Sequence, residues 1–211
     1  MYSSKHAFLY LHVSKTGGNS IQQVLLPFSD DEKILRGHQD GVDRFGLKGS
    51  LTPSKHASLA EYEALRPGVS RESRVIISVR DPFQRALSGY FSPHRWMHED
   101  PSGGYTMKTP HWDETAFFEF LDAGGVQAAT DWLRLEDGPY QPDHVIRFES
   151  LQDDLAHVVL ALGLPEASAR LPHVNKSAAN AQLRAKLGAD NTLRNLVLDR
   201  YREDAELFGY G

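Results

Sequence analysis

One junction limits what this chain can fold into. Phe8-Leu-Tyr-Leu-His-Val13 is a short apolar run of the kind that forms a buried strand. Ser14-Lys-Thr-Gly-Gly-Asn-Ser20 follows it without a spacer, and Ile21 to Leu26 has the apolar spacing of a helix opening. Strand, Gly-rich turn and helix start together make a geometry that binds phosphate. Gly17 and Gly18 let the backbone approach an anion, and the unpaired N–H groups of the first helical turn point at it. Lys15 adds a mobile positive charge, while Thr16 and Ser20 offer hydroxyl donors. The turn is not a Walker A loop, in which Lys follows the glycines; here Lys15 precedes them. An ordinary strand-to-helix turn is the alternative reading of these residues taken alone.

A second junction repeats the theme. Arg74-Val-Ile-Ile-Ser-Val79 is the strongest strand signal in the chain, and its near-continuous apolar character suits a central parallel strand. It stops at Arg80-Asp81-Pro82, where Asp81 is a good N-cap and Pro82 fits the first helical position. The helix is expected to run from Phe83 to Phe91. Arg80 leaves the strand at its C-terminal end, and Arg85 and Ser88 are three apart on one helix face. An arginine fork with a hydroxyl can hold a phosphate dianion; pairing of Arg80 with a nearby carboxylate is the structural alternative. Ligands of open α/β sheets bind at the carboxyl ends of strands. Lys15 and Arg80 are therefore expected at one sheet edge, which suits a ligand with two separated phosphate groups.

The composition narrows the classes. With 211 residues, 40% hydrophobic and 24% charged, the chain has the make-up of a globular domain with a proper core. A net charge of −5 argues against a general nucleic-acid binder. There is no cysteine, hence no disulfide framework and no thiolate metal site. No apolar run is long enough to span a membrane, and Met1-Tyr-Ser-Ser-Lys-His lacks a secretory pattern, so a cytoplasmic protein is expected.

Further along, residues 28–57 are polar and Gly-rich, with one short strand expected at Lys33–Arg36. Ser58-Leu-Ala-Glu61 has capping-box spacing and opens a helix that ends before Pro67. Residues 92–112 read as a long irregular insertion carrying His94, Arg95, Trp96, His98, Tyr105, His111 and Trp112. Helices are expected at about 113–122 and 125–135, then a strand at His144–Phe148. Ser150-x-x-Asp153 is read as the cap of a helix with Leu151, Leu155, Val158, Val159 and Leu162 on one face. A loop at Leu171–Ser177 and a last long helix near 190–206, with Leu193, Leu196, Val197 and Tyr201 as its stripe, complete the chain. Alternation of strands and helices gives an α/β fold with a mainly parallel sheet.

These motifs carry a family resemblance. Ser14–Ser20 resembles the 5′-phosphosulfate-binding loop of sulfotransferases, written P-K-T-G-G-T-S. Val79-Arg-Asp-Pro-Phe-Gln-Arg-Ala-Leu-Ser-Gly-Tyr90 resembles their 3′-phosphate motif, R-[ND]-P-x-x-R-x-x-S-x-Y. Val145–Leu151, Leu171–Ser177 and Tyr201–Tyr210 are similar to the bacterial branch related to heparan sulfate 2-O-sulfotransferase. Ser14 and Asn19 depart from the Pro and Thr of the pattern. The resemblance implies a P-loop-like, three-layer α/β fold: one sulfotransferase domain over 1–211, with acceptor-site insertions at 28–57 and 92–112. It implies the donor 3′-phosphoadenosine 5′-phosphosulfate (PAPS), adenosine 3′,5′-bisphosphate as product, no required metal, and a hydroxyl acceptor, often on a sugar. Lys15 would stabilise charge on the leaving 5′-phosphate. Backbone N–H groups from Thr16 through Gly17, Gly18, Asn19 and Ser20 would hold that phosphate. Arg80 and Ser88 would hold the 3′-phosphate, and Lys176 and Ser177 would close over the nucleotide.

Sulfuryl transfer to an alcohol also needs a base for the hydroxyl proton. His56 lies just before the helix capped by Ser58, where a helix start disfavours the imidazolium. Lys55-His-Ala-Ser58 also resembles a K-H-A-T stretch of the bacterial branch. His38 is the runner-up base, and His12 reads better as a satisfied core histidine. His94, His98 and His111 follow no zinc spacing; they are expected to line the acceptor cleft with Trp96, Tyr105 and Trp112. A nucleotide-dependent kinase is a rival reading, although the chain lacks a Walker A loop and a Mg²⁺-binding acid. A non-catalytic nucleotide- or glycan-binding module is another.

Overall fold

The computed structural model describes residues 1–36, 44–102, 104–171 and 181–211. His38, Lys176 and Ser177 lie outside the described residues.

Strand β1 (Tyr2–Ser3) pairs antiparallel with β2 (Phe8–Leu11), which leads into helix α1 (Gly18–Leu25). A hairpin of β3 (Glu32–Arg36) and β4 (Arg44–Lys48) follows. The sequence indicates only the first of these strands, because Gly46 interrupts the pattern of the second. Helix α2 (Leu59–Leu65) has the full capping box: Ser58 Oγ accepts from Glu61 N, and Glu61 accepts from Ser58 N. Short α3 (Val69–Glu72) precedes β5 (Arg74–Val79), which matches its expected bounds. Asp81 caps α4 (Pro82–Tyr90) through Gln84 N, with Pro82 at the first position.

Within residues 92–112, expected to be irregular, the chain forms α5 (Pro93–Trp96) and a hairpin of β6 (Met97–Glu99) and β7 (Tyr105–Met107). Helix α6 (Glu114–Asp122) agrees with the sequence, but the helix expected at 125–135 does not form. Instead a 3₁₀ turn, Ala129–Trp132, precedes a two-stranded hairpin of β8 (Arg134–Leu135) and β9 (Gly138–Pro139). Tertiary bonds override local preference there: Asp204 accepts from the N–H groups of both Ala129 and Thr130.

Strand β10 (His144–Arg147) leads into α7 (Leu151–Ala161). Ser150 makes no side-chain cap; its hydroxyl donates to Asp154, which also accepts from Arg147 N. Helix α8 (Ala181–Gly188) comes next. The single long helix expected near 190–206 is two, α9 (Asn191–Arg200) and α10 (Arg202–Phe208), broken at Tyr201. The Tyr201 hydroxyl is drawn inward to Val126 O at 2.7 Å, which takes the chain out of helical register. Leu196, read as part of the buried stripe, is 52% exposed.

Among the described residues the main sheet has the order β1-β2-β5-β10, with β2, β5 and β10 parallel. Successive strand residues face opposite sides, as the pleat requires. Phe8, Tyr10, Ile76 and Ile146 pack with Ile21, Leu25, Leu155 and Val159 of α1 and α7. Leu9, Leu11, Val75, Ile77 and Val79 pack on the other side with Leu59, Tyr62, Val69 and Phe208. Helices thus cover both faces of a mainly parallel sheet. A third cluster around Phe83, Tyr90, Phe117 and Val197 joins α4, α6 and α9.

This layering fixes the place of the site. Three parallel strands end at one edge, in register Leu11 with Ile77 and Val79 with Arg147. The residues that follow them, from His12, from Arg80 and from Phe148, must lie side by side.

Candidate active site

The first turn is built on buried hydroxyls. Tyr10 donates to Ser78 Oγ at 2.8 Å, Ser78 and Thr16 hydroxyls meet at 2.7 Å, and Thr16 donates to Val13 O at 2.7 Å. This chain satisfies each polar atom inside the core and ties the turn to β5. It also corrects an expectation: the Thr16 hydroxyl is spent inward, so Thr16 has only its backbone N–H to offer an anion. Gly17 is the N-cap of α1 at φ +80°, with no side-chain cap on the helix. The first N–H groups of α1 therefore face no capping side chain and suit an anion at this end. Lys15 holds a positive φ of 67°, uncommon outside glycine. Its ammonium donates to Ser92 Oγ at 3.1 Å. Asn19 is exposed and Ser20 half-buried on the first turn of α1.

Gly18 has a different reason to be glycine from the one its motif indicates. A Cβ there would lie 2.0 Å from Cδ2 of His12. The missing side chain makes room for an imidazole rather than for an anion.

Arg80 stands beside this turn. Its Nη1 lies 3.5 Å from Lys15 O, and its guanidinium sits 4.0 Å above the Phe148 ring. The two motifs therefore meet at one edge of the sheet. Burial, and then the positive charge of Arg184 on α8, lower the Arg80 pKa to about 10, with Glu149 and Asp81 pulling it back up. At neutral pH it remains a cation. Its buried Nε has no hydrogen-bond partner. Ser88 is half-buried on α4.

Arg85 turns into the core, whereas Ser88 on the same helix is half-buried. Arg85 is almost fully buried, with Nη1 3.2 Å from Asp204, and it also donates to Gln127 O. A carboxylate on α10 outcompetes solvent for it, so the arginine fork of this motif is structural.

His56 lies next to β2 on the loop before α2. Its Nδ1 is 2.9 Å from His12 O, and its own carbonyl accepts from Trp132 Nε1 at 2.9 Å. A carbonyl can only accept, so Nδ1 carries the proton and Nε2 keeps its lone pair. Partial burial lowers the His56 pKa, the His12 carbonyl opposes this, and the charge of Lys55 lowers it further. The ring is neutral at pH 7 and can take a proton. His12 is buried as expected, with Nδ1 3.1 Å from Gln22 Oε1.

Of the tryptophans in the aromatic insertion, Trp96 belongs to the core and Trp112 is half-buried. Trp96 is buried, donates from Nε1 to Tyr90 O at 2.8 Å and stacks edge-on with Tyr90. Trp112 packs on Tyr90 and Phe117. His111 rests on Trp96, while His94, His98 and Tyr105 are exposed. Among the described residues, no group of three or more His, Asp or Glu side chains is placed to hold a metal ion.

Sequence reasoning missed Arg184, Phe148, Ser92 and Gln22. Only Phe148 carried a signal, since it closes the strand parallel to β5.

Comparison with known families places this architecture. The sulfotransferase family profile matches residues 1–211. The chain belongs to the sulfotransferase family, whose P-loop-like α/β fold it has, and it is a sulfuryl-transferring enzyme. No curated protein and no solved structure matches it.

Proposed function

We propose that this protein moves a sulfuryl group from PAPS to a hydroxyl of a carbohydrate acceptor, in the branch related to heparan sulfate 2-O-sulfotransferase. Residues 1–211 act as one domain and need no metal. The observation that carries the reading is the adjacency of the Lys15 turn and Arg80, whose guanidinium donates to the Lys15 backbone carbonyl at 3.5 Å. The buried Arg80 Nε without a partner and the side-chain-free start of α1 suit two anionic groups, as the donor requires.

The donor supplies a sulfuryl group activated by its bond to the 5′-phosphate. Backbone N–H groups of Thr16 to Asn19 and the Ser20 hydroxyl hold that phosphate, the Ser20 N–H being bonded to Gly17 O, and Lys15 offsets the charge that develops on it. Arg80 and Ser88 hold the 3′-phosphate, with Arg184 adding positive potential; Lys176 and Ser177 complete the enclosure. His56 Nε2 accepts the acceptor's hydroxyl proton as the new O–S bond forms and the bond to the 5′-phosphate breaks.

Turnover of PAPS with a panel of glycans, in the presence of a chelator, tests this. Lys15→Ala and Arg80→Ala are each expected to lower kcat/KM by about 100-fold or more. Wild-type kinetics in both variants would overturn the proposal.

A further inference from the structure

His12 is buried, and its role is not exhausted by filling the core. Three contacts set it apart. Its carbonyl accepts from His56 Nδ1 at 2.9 Å, and the two ring centroids lie 4.4 Å apart at 46°. Gln22 Oε1 accepts from its Nδ1, while Gln22 Nε2 reaches Lys55 O at 3.4 Å, the residue before the base. Finally, the edge of its ring, Cδ2 and Nε2, occupies the space where a side chain of residue 18 would stand.

The geometry points to His12 as the positioning residue of the base. Its carbonyl fixes the tautomer of His56, its ring fixes the orientation, and the same ring joins that base to the opening of α1. This rests on the reading of His56 as the proton acceptor. His12 cannot be the base itself, being 4% exposed with its Nδ1–H engaged. A carbonyl alone would fix the tautomer yet leave the ring free to pivot about one hydrogen bond. The tilted imidazole of His12 supplies the second point of contact. Because the same imidazole abuts Gly18, any shift of the anion turn is transmitted to the base through one side chain.

Charge follows from the same packing. The titratable and charged groups that face His12 are His56 and Lys55 from the loop before α2 and the α-amino group of Met1, which donates to Tyr10 O. Tyr10 itself lies nearly parallel to the His12 ring, with centroids 6.2 Å apart. Every charged neighbour is cationic or able to become so, and the pair stays neutral together.

The test is histidine-selective NMR on the full-length protein without ligand, reading the tautomer and pKa of His56 directly. The wild type is expected to show Nδ1 protonated and a pKa below the ordinary 6.5. In His12→Ala water reaches the inner face of His56. Its pKa is expected to rise by about half a pH unit or more, while the carbonyl of residue 12 keeps Nδ1 protonated. His12→Asn, which keeps a donor toward Gln22 but lacks the ring, must shift the same way and decides the matter if His12→Ala does not fold. An unchanged His56 titration in a folded His12 variant would overturn the inference. With PAPS and an accepted glycan, His12→Asn is expected to lose about 10- to 100-fold in kcat at nearly constant affinity for adenosine 3′,5′-bisphosphate. Loss of that affinity with kcat retained would also overturn it. Should the wild type transfer no sulfuryl group, the proposed function fails while the NMR result still decides the role of His12.

Discussion

The guanidinium of Arg80 lies 4.0 Å over the ring of Phe148, and the sheet is the cause. Arg80 follows β5, Phe148 follows β10, and the two strands run parallel in register Val79 with Arg147. The same ring approaches the Lys15 turn, since a Cβ on Gly17 would meet Phe148 Cδ2 at 3.1 Å. One aromatic face therefore braces both halves of the proposed donor site. A cation–π contact of this kind contributes about 0.5–2 kcal/mol. Phe148→Ala is expected to weaken binding of adenosine 3′,5′-bisphosphate by about 3- to 10-fold, measured by calorimetry. Phe148→Tyr, which keeps the ring, is expected to bind as the wild type does.

The two glycines of the first turn are expected to fail for different reasons. Gly17 has φ +80°, so Gly17→Ala costs roughly 1–2 kcal/mol of backbone strain and distorts the cap of α1. Gly18→Ala drives a methyl into His12, an overpacking penalty of about 1–3 kcal/mol. Urea denaturation measures both. The double variant Gly18→Ala/His12→Ala relieves the clash and is expected to recover stability relative to Gly18→Ala alone. Activity is expected to stay low in it if His12 positions the base.

Local chemistry explains how far the sequence could be read. Asp81-Pro82 and Ser58–Glu61 are start signals complete within four residues, and both helices begin where those signals stand. The run Arg74–Val79 is apolar enough to be central wherever it lies, and it does lie between two parallel neighbours. What was not legible depends on contacts distant in sequence. Arg85 reads as a ligand arginine until Asp204, 119 positions later, is seen to claim it. Trp96 and Trp112 read as cleft-lining aromatics because Tyr90, their shared partner, belongs to another motif. Arg184 has no motif around it, and only the docking of α8 brings its charge to Arg80.

The Arg85–Asp204 pair carries a stability prediction. Both side chains are 1% exposed, and Asp204 also accepts from Ala129 N at 2.7 Å and Thr130 N at 2.9 Å. Removing one partner of a buried, hydrogen-bonded pair leaves the other charge uncompensated and costs about 3–5 kcal/mol. Asp204→Ala is expected to lower stability by that amount in urea unfolding and to loosen α10 from the 3₁₀ turn at Ala129–Trp132. A loss under about 1 kcal/mol would mean the pair is replaceable by water.

The two histidines give opposite experimental handles on pH. Burial, then His56 and Lys55, hold the His12 pKa well below 6.5. In the unfolded chain His12 binds a proton near its ordinary value. Below about pH 6.5 the unfolded state therefore carries more protons than the native one, and stability falls as pH drops through that value toward the native pKa. His12→Gln removes this contribution, so the decline of stability between about pH 6.5 and 5 is expected to flatten, whatever the variant costs at neutral pH. His56 is read through rate instead. Its neutral form is the one able to accept a proton, so kcat/KM is expected to hold steady down to about pH 6.5 and to fall only at lower pH. Lys55 contributes to that low position. Lys55→Gln removes a repelling charge, makes protonation of His56 easier, and is expected to move the acid limb of the pH–rate profile upward toward 6.5. A limb that stays in place in Lys55→Gln but disappears in His56→Gln would keep His56 as the base and assign its low pKa to burial alone.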